Sequence, residues 1–392
     1  MKKRVFIVIT IFFIFLLFLN SCKVERLPFL IISCEGKIIL FDKNLNKIDE
    51  IETGLDGKVL LGEIRNKKVL FNYYSSDFKK SGIFLLDLDT KDILNLTEGL
   101  LGNFPYSPKF LDNENILFTL KESYESEYLY IYNLKLKNKK PISTTIISTY
   151  IYPIYVDEDS KNVYIHLLKQ KEEKSKIALY SYSSDEFNEN YLSFKDNFYF
   201  QGNSNLMGEV LGRTFDSKSK ISTIEILDLK SRNTKTIFKT NEGEIYNEMF
   251  INNSDEIVFK IVPFDQNKKP YIMIIDRNGN ILKNFEVPQF TDFYIRGSFE
   301  NYLYLMAQES SISKYLLFGI DLEKRSFKKF TNENYFYGGD LIISTSKENI
   351  IISEIKEGVQ EKNYILMNFN GENKINLNEK LKIKIDSIIF FE

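Results

Sequence analysis

Residues able to carry chemistry are scarce in this chain, and that scarcity narrows what it can do. It holds one histidine, His166, two cysteines, Cys22 and Cys34, and no tryptophan. A Ser-His-acid triad or a two-histidine zinc motif needs histidine in a site. His166 instead lies inside the apolar segment NVYIHLL, where it reads as a packed strand residue. No Gly-x-Ser-x-Gly nucleophile elbow and no glycine-rich phosphate loop occurs. Asp87, Asp89, Asn95 and Glu98 fall at positions 1, 3, 9 and 12 of a calcium loop, but Lys91 and Asp92 stand at positions 5 and 6, where a ligand and a turn glycine belong. The expectation is therefore no catalytic residue, no metal and no cofactor. What stands out is aromatic. The segments leading into successive repeats collect Phe104 and Tyr106, Tyr150 and Tyr152, Phe198 to Phe200, Phe293 and Tyr294, and Tyr335 to Tyr337. Rings with polar tips suit contact with proteins and sugars. Tyr106, Tyr152, Tyr199, Tyr294 and Tyr337 are accordingly the candidate binding face, on the loops leading into each repeat; the alternative is that these rings plug the gaps between blades at the start of each repeat's first strand.

Cys22 has a different chemistry. Lys2, Lys3 and Arg4 precede an apolar run from Val5 to Leu19, then Asn20, Ser21 and Cys22, the layout of an export signal. Fifteen residues rise about 22 Å as a helix, short of the ~30 Å of hydrocarbon a spanning helix must cross. Leu19-Asn20-Ser21-Cys22 resembles the lipobox of bacterial lipoproteins, with Asn20 departing from the usual small or apolar residue. The resemblance implies cleavage before Cys22 and acylation of its thiol, which with two or more chains anchors stably. Residues 1–21 are then signal, 22–28 a lipidated tether and 29–392 the folded body, a lipoprotein of the bacterial cell envelope facing periplasm or exterior. Losing Lys2, Lys3 and Arg4 leaves 49 Lys and Arg against 54 Asp and Glu, about −5, which does not favour nucleic acid. Cys34 alone cannot form an intramolecular disulfide. The body is expected to be a monomer stabilised by burial.

The elements that must position any site repeat. An apolar run, an acidic or small residue, a polar turn and a second short run recur eight times, placing Asp42, Asp87, Asn133, Ser181, Asp228, Asp276, Asp321 and Asn368 in register at spacings of 45 to 48 residues. Each unit predicts a β-hairpin. Asn278-Gly279 and Asn370-Gly371 suggest tight I′ turns, and polar residues fill the turns elsewhere. Runs such as Ile83 to Leu86 are apolar at every position, so they must be covered on both faces. With a further apolar strand and a shorter one ahead of each hairpin, the pattern gives four strands per unit. An all-β propeller of about eight four-stranded blades is the predicted fold. Only Phe29 to Ser33 precedes the first hairpin, whereas IDSIIFFE from Ile385 follows the last. The carboxyl-terminal strand is thus expected to complete the first blade and close the ring.

The units resemble the WD40-like repeats of TolB and dipeptidyl-peptidase amino-terminal propellers, most closely in KSGIFLLDLDTKDILNLTEG from Lys80 and FPYSPKFLDNENILF from Phe104. That resemblance implies a periplasmic propeller used for protein contact. The functional expectation is a non-catalytic binding or assembly module for a protein or glycan partner. The alternative is an extracytoplasmic enzyme of lactonase or glycan-cleaving type, working from carboxylates and a metal in the central channel.

Overall fold

In the computed structural model, residues 27–391 are described apart from 101–103, 124–125, 143–149, 170–173, 195–197, 252–254, 288–289, 310–313, 333 and 345. Cys22 and the expected signal segment lie outside them. The chain forms eight four-stranded antiparallel sheets. Blades 2 to 8 each run from strand a to strand d in chain order, beginning at Gly57, Phe104, Tyr150, Phe198, Gly243, Phe290 and Tyr335. Blade 1 takes its strands b, c and d from Leu30–Cys34, Lys37–Phe41 and Lys47–Glu52, and its strand a from Ser387–Phe390. The predicted closure is thus present, with Leu30 opposite Phe390 and Ser33 opposite Ser387. One element was not foreseen. Leu377–Leu381 forms a single helical turn, α1, whose first turn is capped by the Asn376 side chain accepting from Glu379 N, and which ends at left-handed Lys382.

The core is divided rather than central. Eight apolar clusters each join two neighbouring blades, from Ile31 and Val69 between blades 1 and 2 round to Ile32 and Ile351 between blades 8 and 1. Ile83, Phe84, Leu85 and Leu86 are all buried, as a strand covered on both faces requires. Cys34 is buried in the cluster between blades 8 and 1, and burial pushes its thiol upward.

The residue that ends strand c recurs because it builds the next turn. Asp42 Oδ1 accepts from Asn44 N and Asn46 N, Asp87 from Asp89 N and Thr90 N, Asp228 from Lys230 N and Ser231 N, and Asp276 from Asn278 N and Asn280 N. These are Asx turns, a local alternative to the ladder that only a short polar side chain offers. Asp87 is occupied in this way, so the calcium-like spacing reflects hairpin geometry. The turn type differs from expectation. Gly279 and Gly371 have positive φ, whereas neither Asn278 nor Asn370 does, so these are not I′ turns. One left-handed residue, three or four positions after the Asx residue, closes the hairpin. Elsewhere it is Leu45, Lys91, Lys137, Asp185, Arg232 or Arg325.

Candidate functional site

Topology gives the ring two faces. The b–c turns and the d-to-a connections lie on one, here the upper face; the a–b and c–d turns lie on the other. Strand a has no sheet partner on its inner side, and a strands approach one another from blade to blade around the axis. Its first half is the upper half.

At one register position of this innermost strand stand Ser387, Leu60, Tyr106, Tyr152, Tyr199, Tyr246 and Tyr294, in blades 1 to 7; in blade 8 Tyr337 pairs with Glu354, one residue higher, and packs toward blade 7. Five consecutive blades, 3 to 7, thus present a tyrosine at the same height. Tyr106, Tyr152, Tyr199 and Tyr294 of the five residues named from sequence belong to this arc, and all five lie on paired strand a, where the gap-plugging alternative put them, rather than on loops. Strand pairing extends above them because the connections are short. Tyr199 is 53% exposed, Tyr106, Tyr152, Tyr246 and Tyr294 are part-buried, and Tyr337 is buried. Tyr246 was missed because no second aromatic flags it, although its 47-residue distance from Tyr199 is a usable signal.

Opposite this arc, strand b carries Ser33, Asn72, Thr119, His166, Arg213, Lys260 and Met306 in blades 1 to 7. Most are polar within apolar strands. Five of them donate to a backbone carbonyl on strand a of the following blade: Ser33 to Val59, Asn72 to Pro105, Thr119 to Ile151, Arg213 to Ile245 and Lys260 to Phe293. A strand bordering an opening leaves carbonyls unpaired, and these side chains satisfy them while tying blade to blade. His166 Nδ1 lies 2.6 Å from the Tyr152 hydroxyl, and burial depresses its pKa to about 4. It is a packed strand residue, neutral near pH 7.

The cations also stack. Arg213 lies 5.1 Å from the Tyr199 ring and 4.6 Å from the Tyr246 ring. Lys260 lies 5.3 Å from the Tyr294 ring and bonds Asp292 at 2.5 Å, and Arg296 lies 5.9 Å from the Tyr337 ring. Blades 5 to 8 therefore alternate tyrosine and cation, an arrangement with electrostatic attraction built in.

Just below the arc, strand a bulges in every blade from 2 to 8, with register shifts after Leu61, Tyr106, Pro153, Phe200, Tyr246, Ile295 and Tyr337. Bulges bend a strand and re-aim its side chains. In blade 6 the bulge holds Asn247, at φ 55°, and Glu248, which is 2% exposed. Glu248 Oε2 is 3.4 Å from Arg213 Nε, and neither carboxylate oxygen accepts a hydrogen bond among the described residues. Desolvation outweighs the nearby guanidinium and raises its pKa to about 7. Such a carboxyl can hold or release a proton near neutrality. Arg213 and Glu248 were not among the expected site residues, because nothing local marks either. Among the described residues, no group of three or more His, Cys, Asp and Glu side chains is placed to share a metal ion.

No protein-family model and no curated protein sequence matches the chain. Solved structures do. The β-propeller domain of the trilobed protease from Pyrococcus furiosus, described as having an open velcro topology, matches at 12% identity and TM-score 0.51, over 82% of this chain and 95% of that one. Porphyromonas gingivalis dipeptidyl peptidase 4 matches at 11% identity and TM-score 0.57, over 89% of this chain and 58% of that one. TolB from Acinetobacter baumannii matches at 16% identity and TM-score 0.41, over 80% and 77%. At these identities the likeness is one of fold: an all-β propeller of the kind carried by peptidases.

Proposed function

We propose that this chain is a lipid-anchored cell-envelope propeller that captures a protein or glycan partner at the upper mouth of its axis without chemically altering it. The observation that carries the reading is the arc of five tyrosines at one register height, interleaved with Arg213 and Lys260. Structural packing needs apolar bulk there, not five phenols. Phenol faces and hydroxyls bind sugar rings and peptide groups alike. The anchor complements this placement. Leu27 adjoins Asp42, Lys43 and Lys347, which lie at the lower-face turns of blades 1 and 8. From Cys22 to Leu27 a chain spans at most about 18 Å. An acylated Cys22 therefore holds the lower face against the bilayer and directs the tyrosine arc outward.

The test replaces Tyr199, Tyr246 and Tyr294 with alanine in the full chain and measures capture of envelope glycans and proteins by crosslinking in intact cells. Capture reduced at least tenfold with unchanged melting supports the reading, and undiminished capture refutes it. Mass spectrometry finding no acyl group on Cys22 removes the anchor.

A second reading rests on Glu248. A buried carboxyl with a pKa of about 7 can act as general acid or base, which suits a glycan-cleaving or lactone-opening enzyme. Turnover of such substrates that vanishes in Glu248→Gln would establish it; a wild-type chain that binds but never turns over leaves the first reading standing.

A further inference from the structure

The tyrosine arc does not continue through blades 1 and 2, where Ser387 and Leu60 occupy its register, and a large groove opens there. It has a volume of about 1010 Å³. Its walls come from both ends of the chain: Lys58, Leu60, Tyr74 and Phe78 of blade 2 on one side, the 360–364 stretch of blade 8 and the 378–386 lead into the closing strand on the other. Four lysines line it, Lys58, Lys362, Lys382 and Lys384, against two acids, Glu361 and Asp386. The acids are already engaged. Glu361 pairs with Lys384 at 2.8 Å, and Asp386 accepts from Glu35 N at 3.1 Å, while Lys362 is satisfied by Asp340 at 2.8 Å. Among the described residues, Lys58 and Lys382 have no acid within ion-pair distance. Leu60 and Phe78, 40% and 60% exposed, add an apolar wall to this cationic floor.

We infer that this groove is a second binding site, for an acidic glycan such as an oligouronate, and that its occupant clasps the ring-closing seam. Four lysines against two acids give the groove a net positive lining in a chain of net charge −2, a local attraction for anions. The lining offers the ammonium groups, the Asn363 and Gln360 amides and the Tyr74 hydroxyl, a donor-rich set suited to a ligand dense in carboxylate and hydroxyl acceptors. Leu60 and Phe78 provide apolar surface for the C–H faces of sugar rings. Because the walls belong to opposite ends of the chain, a bound oligomer bridges them and favours the closed ring by linkage. This site is separate from the tyrosine arc and does not depend on it.

The experiment titrates the full chain in detergent with a uronate hexamer, its carboxyl-reduced neutral counterpart, a hexaglutamate peptide, inorganic phosphate and anionic lipid vesicles, reading affinity and melting temperature. Expected are binding of the uronate hexamer with a raised melting temperature, no binding of the neutral oligomer, and at least tenfold weaker uronate binding in Lys58→Gln with Lys382→Asn. Both lysines are exposed, and asparagine tolerates the left-handed conformation at position 382. Tyr199→Ala should bind the hexamer as wild type does. Absence of uronate binding up to about 1 mM, or equal binding by the double variant, overturns the site. Preferential binding of hexaglutamate, phosphate or vesicles overturns the glycan assignment.

Discussion

Removal of residues 387–392 tests the closed ring most directly. The deletion strips strand a from blade 1, ending the pairing of Leu30 with Phe390 and Ile32 with Ile388. Ile388 and Phe390 are 2% and 6% exposed and sit in the cluster that joins blades 8 and 1. At roughly 1.5–3 kcal/mol for each buried side chain, their loss alone removes about 3–6 kcal/mol. The edge-to-face contact between Phe29 and Phe390 goes with them. For a body of roughly 365 residues the unfolding entropy is about 0.8 kcal/mol/K, so the melting temperature should fall by about 4–8 °C. The truncated chain also gains an exposed strand edge at Leu30–Cys34 and should self-associate. Circular dichroism melting and light scattering read both effects, and an excess of a peptide spanning Ile385 to Phe391 should reverse them. A truncated chain that melts within 1 °C of the intact one and stays monodisperse would refute the reasoning.

Glu248 predicts a pH dependence of stability. Its folded pKa of about 7 lies above the ordinary 4.5, so the folded state holds a proton that the unfolded chain has released between those values. Stability should therefore decline as pH rises from about 4.5 to 7, by on the order of 2–3 kcal/mol, and Glu248→Gln should flatten that slope in denaturant titrations at several pH values. Thr119→Val tests the ties between blades. Thr119 is fully buried and its hydroxyl donates to Ile151 O at 3.4 Å, so the near-isosteric change should cost about 1 kcal/mol in urea unfolding; an unaltered midpoint would show that this tie contributes nothing.

The positions of the turns, the blade count and the closing strand were legible in the sequence because each depends on near neighbours, whereas the turn type was not. An aspartate that bonds the backbone two to four residues on produces the same hairpin wherever it recurs, and a run buried on both faces declares itself in composition alone. The tyrosines were legible as residue types but not in placement, since a strand border depends on pairing with strand b. Tertiary structure decided the rest. Arg213 meets Glu248 and Tyr246 only because blade 5 stacks on blade 6. The lysine groove brings Lys58 beside Lys382 only because the ring closes. Glu35 and Asp386 bond across 351 residues of sequence. Local hydrogen bonding writes its pattern into consecutive residues, whereas charge pairing across the ring leaves no periodic trace along the chain.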